Sequence, residues 1–315
     1  MTQIKVDTIA DAAGTGAADF ADGITIAGGA LSALNTAEYY SSASEPTSPK
    51  NGAIWWDTTN EKVMVYIADE FKEVELGASG AASWTVDLAD VTYISKAAIN
   101  QDGQMQGLSF SADGTKMYTS GVGSDYIYQY SLSTAFDIST VSYNNVSLSI
   151  GSQESTPRGI FTSQDGTKIY IVGSSSDAVQ EYSLSTAFDL STASHSTSFS
   201  VSGQTNNPYG IYISADGEKM YISEYNSSVH QYTLSTAWDL STASYDNKNL
   251  NVGVISLMGV FLNPEGTKLY VMSQSTDVIY QYTLSTAFDV STGVADSSTF
   301  SLSSSDWGDI YFSAD

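Results

Sequence analysis

From residue 107 onward, apolar and polar positions alternate in short runs, broken by turns rich in Asp, Gly and Ser. One unit reads Gly107-Leu-Ser-Phe-Ser-Ala-Asp113-Gly114-Thr-Lys116-Met-Tyr118, then Ile127-Tyr-Gln-Tyr130-Ser-Leu132-Ser-Thr-Ala-Phe136-Asp137. It returns at Gly159, Gly210 and Gly259, with 49 to 52 residues between equivalent positions. A turn acid falls at Asp113, Asp165, Asp216 and Glu265, and a loop acid at Asp137, Asp189, Asp239 and Asp289. The alternation predicts four strands per copy. In the first copy they lie over residues 107–111, from Lys116, over 126–132 and near 143–150. Asp-Gly reverses the chain between the first two, because Gly accepts the positive φ of a tight hairpin. Helical periodicity is absent over this region.

A four-stranded unit of this size cannot bury both of its faces alone, and copies arranged around an axis can. The predicted fold is therefore all-β: a small β-rich N-terminal region, then a β-propeller of four-stranded blades. Three slots predict the blade-to-blade core: Ile127, Val179, Val229 and Ile279; Tyr130, Tyr182, Tyr232 and Tyr282; Leu132, Leu184, Leu234 and Leu284. In the repeated Leu-Ser-Thr-Ala-Phe/Trp-Asp loop, the aromatic ring is expected to plug between blades and the Asp to cap backbone amides.

The block Ser-Ala-Asp-Gly-Thr-Lys-Met-Tyr followed by Ile-Tyr-Gln-Tyr resembles the repeat of YVTN/NHL-type propellers. That family carries a Ser-Pro-Asp-Gly turn before a Leu-Tyr-Val strand. Here Ala, Gln or Asn-Pro stand around the position of that Pro, so the resemblance is to the blade type and not to a subfamily. It covers residues 83–315, read as four full blades plus a split partial one. Thr85-Val86-Asp87-Leu88 echoes the outer-strand start Ala187-Phe188-Asp189-Leu190, and Gly308 to Asp315 reads as a first strand. The N-terminal strand of a propeller usually completes the last blade, which hides sheet edges. The expectation is a longer native polypeptide, by roughly 20 residues for five blades and about 50 for each blade beyond that.

The 315 residues carry eleven Lys and Arg against 35 Asp and Glu, a net charge of −24. That balance disfavours nucleic acid and anionic membrane as partners, since phosphate binding rests on basic side chains. Zero Cys excludes disulfides, Cys-ligated zinc and thiol catalysis. No apolar run is long enough to span a bilayer, and Met1 to Asp7 does not open a secretory signal.

Residues 1–82 differ in composition, being rich in Ala, Gly and Asp at the start. Short β segments are expected around Ile4 and Gly23, one helix over 30–40, a linker or turn over 41–52, and two strands over 53–66 extended at Phe71. Residues 77–82 read as a flexible joint.

The segments Ile4-Lys-Val-Asp-Thr-Ile9, Gly14-Thr-Gly16, Phe20 and Gly23-Ile-Thr, with Pro46-Thr-Ser-Pro-Lys-Asn-Gly-Ala-Ile-Trp-Trp-Asp and Val63-Met-Val-Tyr66, resemble N-terminal regions of marine phage tail-fibre and virion proteins. The resemblance implies a virion-attachment segment over 1–40, with Ile4, Val6, Ile9 and Phe20 as attachment residues, and a β-hairpin module over 41–82. It also implies other virion or tail proteins as partners, a location on the particle, and a homo-oligomer, a trimer being common for fibres. The missing export signal agrees, because a phage protein assembles in the host cytoplasm and leaves by lysis.

No Gly-x-Ser-x-Gly, His-Glu-x-x-His or EF-hand spacing occurs. His195 and His230 stand in slots that other copies fill with Tyr or Gln, and read as surface substitutions rather than general bases. The expectation is a non-enzymatic protein without cofactor or metal. Within a constant frame, the residue before the inner-strand Gly varies: Gln106, Arg158, Tyr209, Met258 and Trp307. Large aromatics and the single Arg on one rim suit a host-surface glycan or protein. Unconstrained loop variation would give the same series. The functional reading is a virion fibre displaying its propeller to the host. The alternatives are a structural decoration or connector, and a polysaccharide-degrading fibre.

Overall fold

A computed structural model describes residues 99–302 and 308–312, together with the backbone of seven strands nearer the N-terminus. The chain divides into two compact units, Met1–Ser83 and Trp84–Asp315.

In the first unit, β1 (Ile4–Lys5), β2 (Thr25–Ile26) and β3 (Gly29–Ala30) form an antiparallel three-stranded sheet. A second sheet orders β4 (Tyr39–Ser42), β5 (Ile54–Asp57), β6 (Lys62–Ile67) and β7 (Glu70–Val74). The helix expected over 30–40 is corrected at both ends. Ala30 closes β3, and Tyr39 opens β4, which pairs in parallel with β5 through Tyr39 opposite Ile54. Ladder bonds to β5 win the Tyr39–Ser42 backbone from local helix formation, so Ser41 and Ser42 also leave the expected turn. Of the attachment residues, Ile4 lies in β1; Val6, Ile9 and Phe20 lie outside the described residues.

The described residues of the second unit form four antiparallel four-stranded blades, each a meander. Blade one is β8 (Met105–Phe110), β9 (Lys116–Gly121), β10 (Tyr126–Leu132) and β11 (Val141–Ser149). Blade two is β12 (Pro157–Thr162), β13 (Lys168–Gly173), β14 (Ala178–Leu184) and β15 (Ala193–Ser200). Blade three is β16 (Pro208–Ile213), β17 (Lys219–Glu224), β18 (Ser228–Leu234) and β19 (Ala243–Asn251). Blade four is β20 (Leu257–Leu262), β21 (Lys268–Ser273), β22 (Val278–Leu284) and β23 (Gly293–Ser301). The three repeated apolar slots on the third strands are all buried, as their spacing predicts.

The innermost strands of consecutive blades touch at their glycines. A Cβ on Gly159 would lie 2.5 Å from the Tyr209 carbonyl oxygen, and one on Gly210 2.5 Å from that of Met258. Any side chain there would push one blade off the next. The loop after each third strand supplies a second tie. Phe136 takes φ 57° and lays its ring on Gly114, where a Cβ would clash, while Asp137 accepts from the Ser139 amide at 2.9 Å. In the third copy the loop ring, Trp238, stacks on Phe161 of the preceding blade with centroids 6.4 Å apart.

Hydrogen bonds repeat the same register between blades. The hydroxyls of Tyr118, Tyr170 and Tyr221 donate to the carbonyls of Phe188, Trp238 and Phe288 at 2.6 to 2.9 Å. Gln129, Glu181 and Gln231 accept from the amides of Leu190, Leu240 and Val290 at 2.7 to 3.0 Å. Burial, and then nearby carboxylates, raise the three tyrosine pKa values well above their ordinary value, so these hydroxyls stay protonated donors.

Residues 308–312 take a fifth place around the axis. Tyr311 lies 6.1 Å from Phe261 of blade four, 5.1 Å from Phe110 and 6.2 Å from Phe136 of blade one. Phe312 packs 4.8 Å from Tyr270. Asp309 is half-buried here and accepts from the amides of Leu108 and Ile310, so it links this segment to the first blade. Burial outweighs those two bonds and pushes its carboxyl up to about 7.

A raised carboxyl pKa favours the folded state only while the group is protonated. Between the ordinary value of 3.8 and about 7 the unfolded chain ionises Asp309 and the folded chain does not, so stability falls as pH rises through that window. Asp309→Asn is expected to remove this slope and to be more stable than the parent at pH 8 by a few kcal/mol. Urea denaturation of both proteins from pH 4 to 8 checks it; parallel curves would contradict it.

Candidate functional site

The variable positions owe their placement to bulges. Along each first strand the ladder skips at Met105/Gly107, Pro157/Gly159, Pro208/Ile211 and Leu257/Val260. Gln106, Arg158, Tyr209 and Met258 therefore sit where the strand has no direct partner on its neighbour. A bulge re-aims the side chain it frees. The repeat keeps the bulge and changes the residue in it.

These side chains meet across blade boundaries. The Arg158 guanidinium lies over the Tyr209 ring, 4.5 Å from its centroid. Its Nη1 donates to Gln106 Oε1 at 3.3 Å and its Nε to Ser174 Oγ at 3.5 Å. Tyr209 also packs 5.0 Å from Tyr225. Met258 belongs to the same apolar cluster as Tyr209, and its carbonyl accepts from Ser223 Oγ at 2.8 Å. The structure thus joins Gln106, Arg158 and Tyr209 by direct contact and sets Met258 beside them. Trp307 lies outside the described residues.

Exposure separates the four. Gln106, Tyr209 and Met258 are only 6%, 6% and 3% exposed, whereas Arg158 is half-buried. Tyr209 is covered rather than displayed, and burial raises its phenol pKa against the opposing effect of Arg158. Among the described residues, the group this rim offers to solvent is a guanidinium edge rather than an aromatic face.

Sequence reasoning passed over two carboxylates that fix the adjoining loops. Asp102 accepts from the amides of Gln104, Gly123 and Ser124 at 2.7 to 3.1 Å. Glu154 does the same for Thr156, Ser175 and Ser176, and also takes the hydroxyls of both serines. Both are buried and fully committed to turns. Their 52-residue separation, one repeat, was the available signal.

One expectation is corrected at the histidines. His195 is exposed and bonds Gln180 Oε1 at 3.0 Å, but His230 is buried, with Nε2 3.1 Å from Glu224 Oε2. Glu224, the last residue of β17, gives the imidazole its partner. Among the described residues, no group of three or more His, Cys, Asp and Glu side chains comes together as a metal site.

Comparison with solved structures finds distant likenesses under 20% identical. The likeness is one of fold. A provisionally named 6-phosphogluconolactonase from Bacteroides uniformis is 16% identical, with a TM-score of 0.44 over 75% of this chain and 62% of that one. This chain therefore spans less than two thirds of that protein's length. A protein from Lactobacillus plantarum is 14% identical, with a TM-score of 0.45 over 80% and 71% of the two chains. A functionally unknown protein from Desulfotomaculum acetoxidans is 13% identical, with a TM-score of 0.46 over 85% and 77%. No protein family and no curated protein matches the sequence.

The burial pattern sets which substitutions probe the rim without breaking it. Tyr209→Ala is expected to cost about 3 kcal/mol by emptying a buried aromatic site. Arg158→Gln should cost under about 1 kcal/mol, the scale of one partly exposed cation–π contact. Denaturant titration of the two variants checks the contrast; equal losses would contradict it.

Proposed function

We propose that this chain is a non-enzymatic virion fibre protein, held on the particle by its N-terminal segment and displaying the propeller for host-surface recognition. The reading of residues 1–40 as the attachment segment rests on their resemblance to phage fibre N-termini. Other virion or tail proteins are its partners there, and a homo-oligomer follows from the same resemblance. The observation that carries the recognition half is the convergence of the bulged slots. A frame kept constant in every copy places its changing residue at one rim, where Gln106, Arg158 and Tyr209 meet. Repeated scaffold with varied residues at one edge is how a rigid fold supports a binding face. The ligand in this reading is a glycan or protein of the host surface.

A second reading has an observation of its own. The deep burial of Gln106, Tyr209 and Met258 suits a propeller that serves as a rigid spacer or decoration on the particle.

Binding of the fluorescently labelled full chain to host cells separates the two. The display reading expects saturable binding that falls at least tenfold in Arg158→Ala with Trp307→Ala. Unchanged binding by that double variant overturns the assigned rim. Absence of binding by the folded parent chain leaves the spacer reading.

A further inference from the structure

We propose that Arg158 and Gln106 form a carboxylate-binding subsite that takes the acid group of a uronic-acid saccharide. The inference rests on the reading of this rim as a recognition face and names the chemistry it selects.

Arg158 is the only arginine of a chain with net charge −24, yet no carboxylate among the described residues pairs with it. Lys168, Lys219, Lys248 and Lys268 each lie within 3.4 Å of an acid. The arginine is held by neutral groups instead. The Tyr209 ring supports its face, and Gln106 Oε1 and Ser174 Oγ touch it at 3.3 and 3.5 Å. Both distances sit at the long end for hydrogen bonds. A guanidinium has five N–H donors in a planar fork, so most of its capacity is left for another acceptor.

Gln106 adds to that capacity. Its Oε1 is turned to the guanidinium, so its Nε2 lies one amide width away and donates to no described residue. The guanidinium fork and the Gln106 amide thus stand side by side, fixed by packing, with the half-buried Arg158 as the edge open to solvent. A planar carboxylate matches such an edge, with two in-plane oxygens to accept from it. A single cation on so acidic a molecule suits a monoanion, because each further ligand charge meets the field of the whole chain. Gln106 is buried and Arg158 half-buried, which keeps the contact less screened than a pair in open solvent.

With one arginine, nitrogen-15 labelling of that residue type gives the full chain a single side-chain Nε–H resonance. Titration with sodium glucuronate at constant ionic strength is expected to shift it and to saturate in the millimolar range. Glucose should leave it in place, and Gln106→Ala should weaken the response about fivefold. Gln106→Glu, which puts a carboxylate beside Arg158, should abolish it. A resonance unmoved by glucuronate overturns the subsite. An equal response to acetate supports a carboxylate site and overturns the saccharide. Should the Gln106 variants melt early, the parent titration alone decides. A full chain that binds host cells while its arginine ignores glucuronate would sink this inference and leave the display reading standing. A chain that takes glucuronate and ignores cells would do the reverse.

Discussion

Backbone meeting backbone at the axis is the constraint on which this molecule depends. Each innermost strand carries a glycine where the next blade arrives, and the space of one methyl group is all that separates fit from clash. Ser223 shows how tightly one such junction is made: its hydroxyl accepts from the Gly210 amide at 2.7 Å and donates to the Met258 carbonyl of the next blade at 2.8 Å. From that approach follow the angle between blades, the burial of the three apolar slots and the alignment of each tyrosine hydroxyl with its neighbour's carbonyl. Asp309 extends the scheme to the fifth position, where a Cβ on Gly259 would meet it at 2.5 Å.

The same constraint builds the rim. To bring the glycine against the neighbour, the strand bulges, and the residue just before the glycine loses its ladder partner. Structure and variability are thereby separated by one position in sequence. The glycine cannot change without moving a blade, while its predecessor differs from copy to copy. The rim is also rigid, since the adjoining loops are tied by Asp102 and Glu154 through backbone amides. A half-buried guanidinium held over a buried phenol ring loses little freedom on binding, which favours recognition by a fixed edge.

Much of the propeller was legible because one blade is written four times. Ile127, Tyr130 and Leu132 could be assigned to the core from their recurrence, and Phe136 and Asp137 to the loop that locks it. What stayed hidden is set between blades. Nothing local marks that Gln106 and Arg158, 52 residues apart, would touch, or that Tyr209 would be covered by Arg158. Burial of His230 depended on Glu224 reaching it from the preceding strand. The segment around Tyr39 was misread because its partner, β5, lies beyond a stretch that reads as turn. Local propensity has no access to such pairings. The oxygen of Gln281 shows the limit from the other side. Its counterparts on Gln129 and Gln231 each accept from the following blade, whereas it has no partner among the described residues.

The most direct measurement of the central claim is the stability of Gly210→Ala beside Gly203→Ala in the full chain. A Cβ at 210 would meet the Met258 carbonyl at 2.5 Å and the Val260 amide at 3.0 Å, both backbone atoms of the next blade, while at 203 it would meet nothing within 4 Å. Overpacking at the junction is expected to cost at least about 3 kcal/mol, or folding altogether, with the 203 variant within about 0.5 kcal/mol of the parent. Equal stability of the two variants would contradict the account.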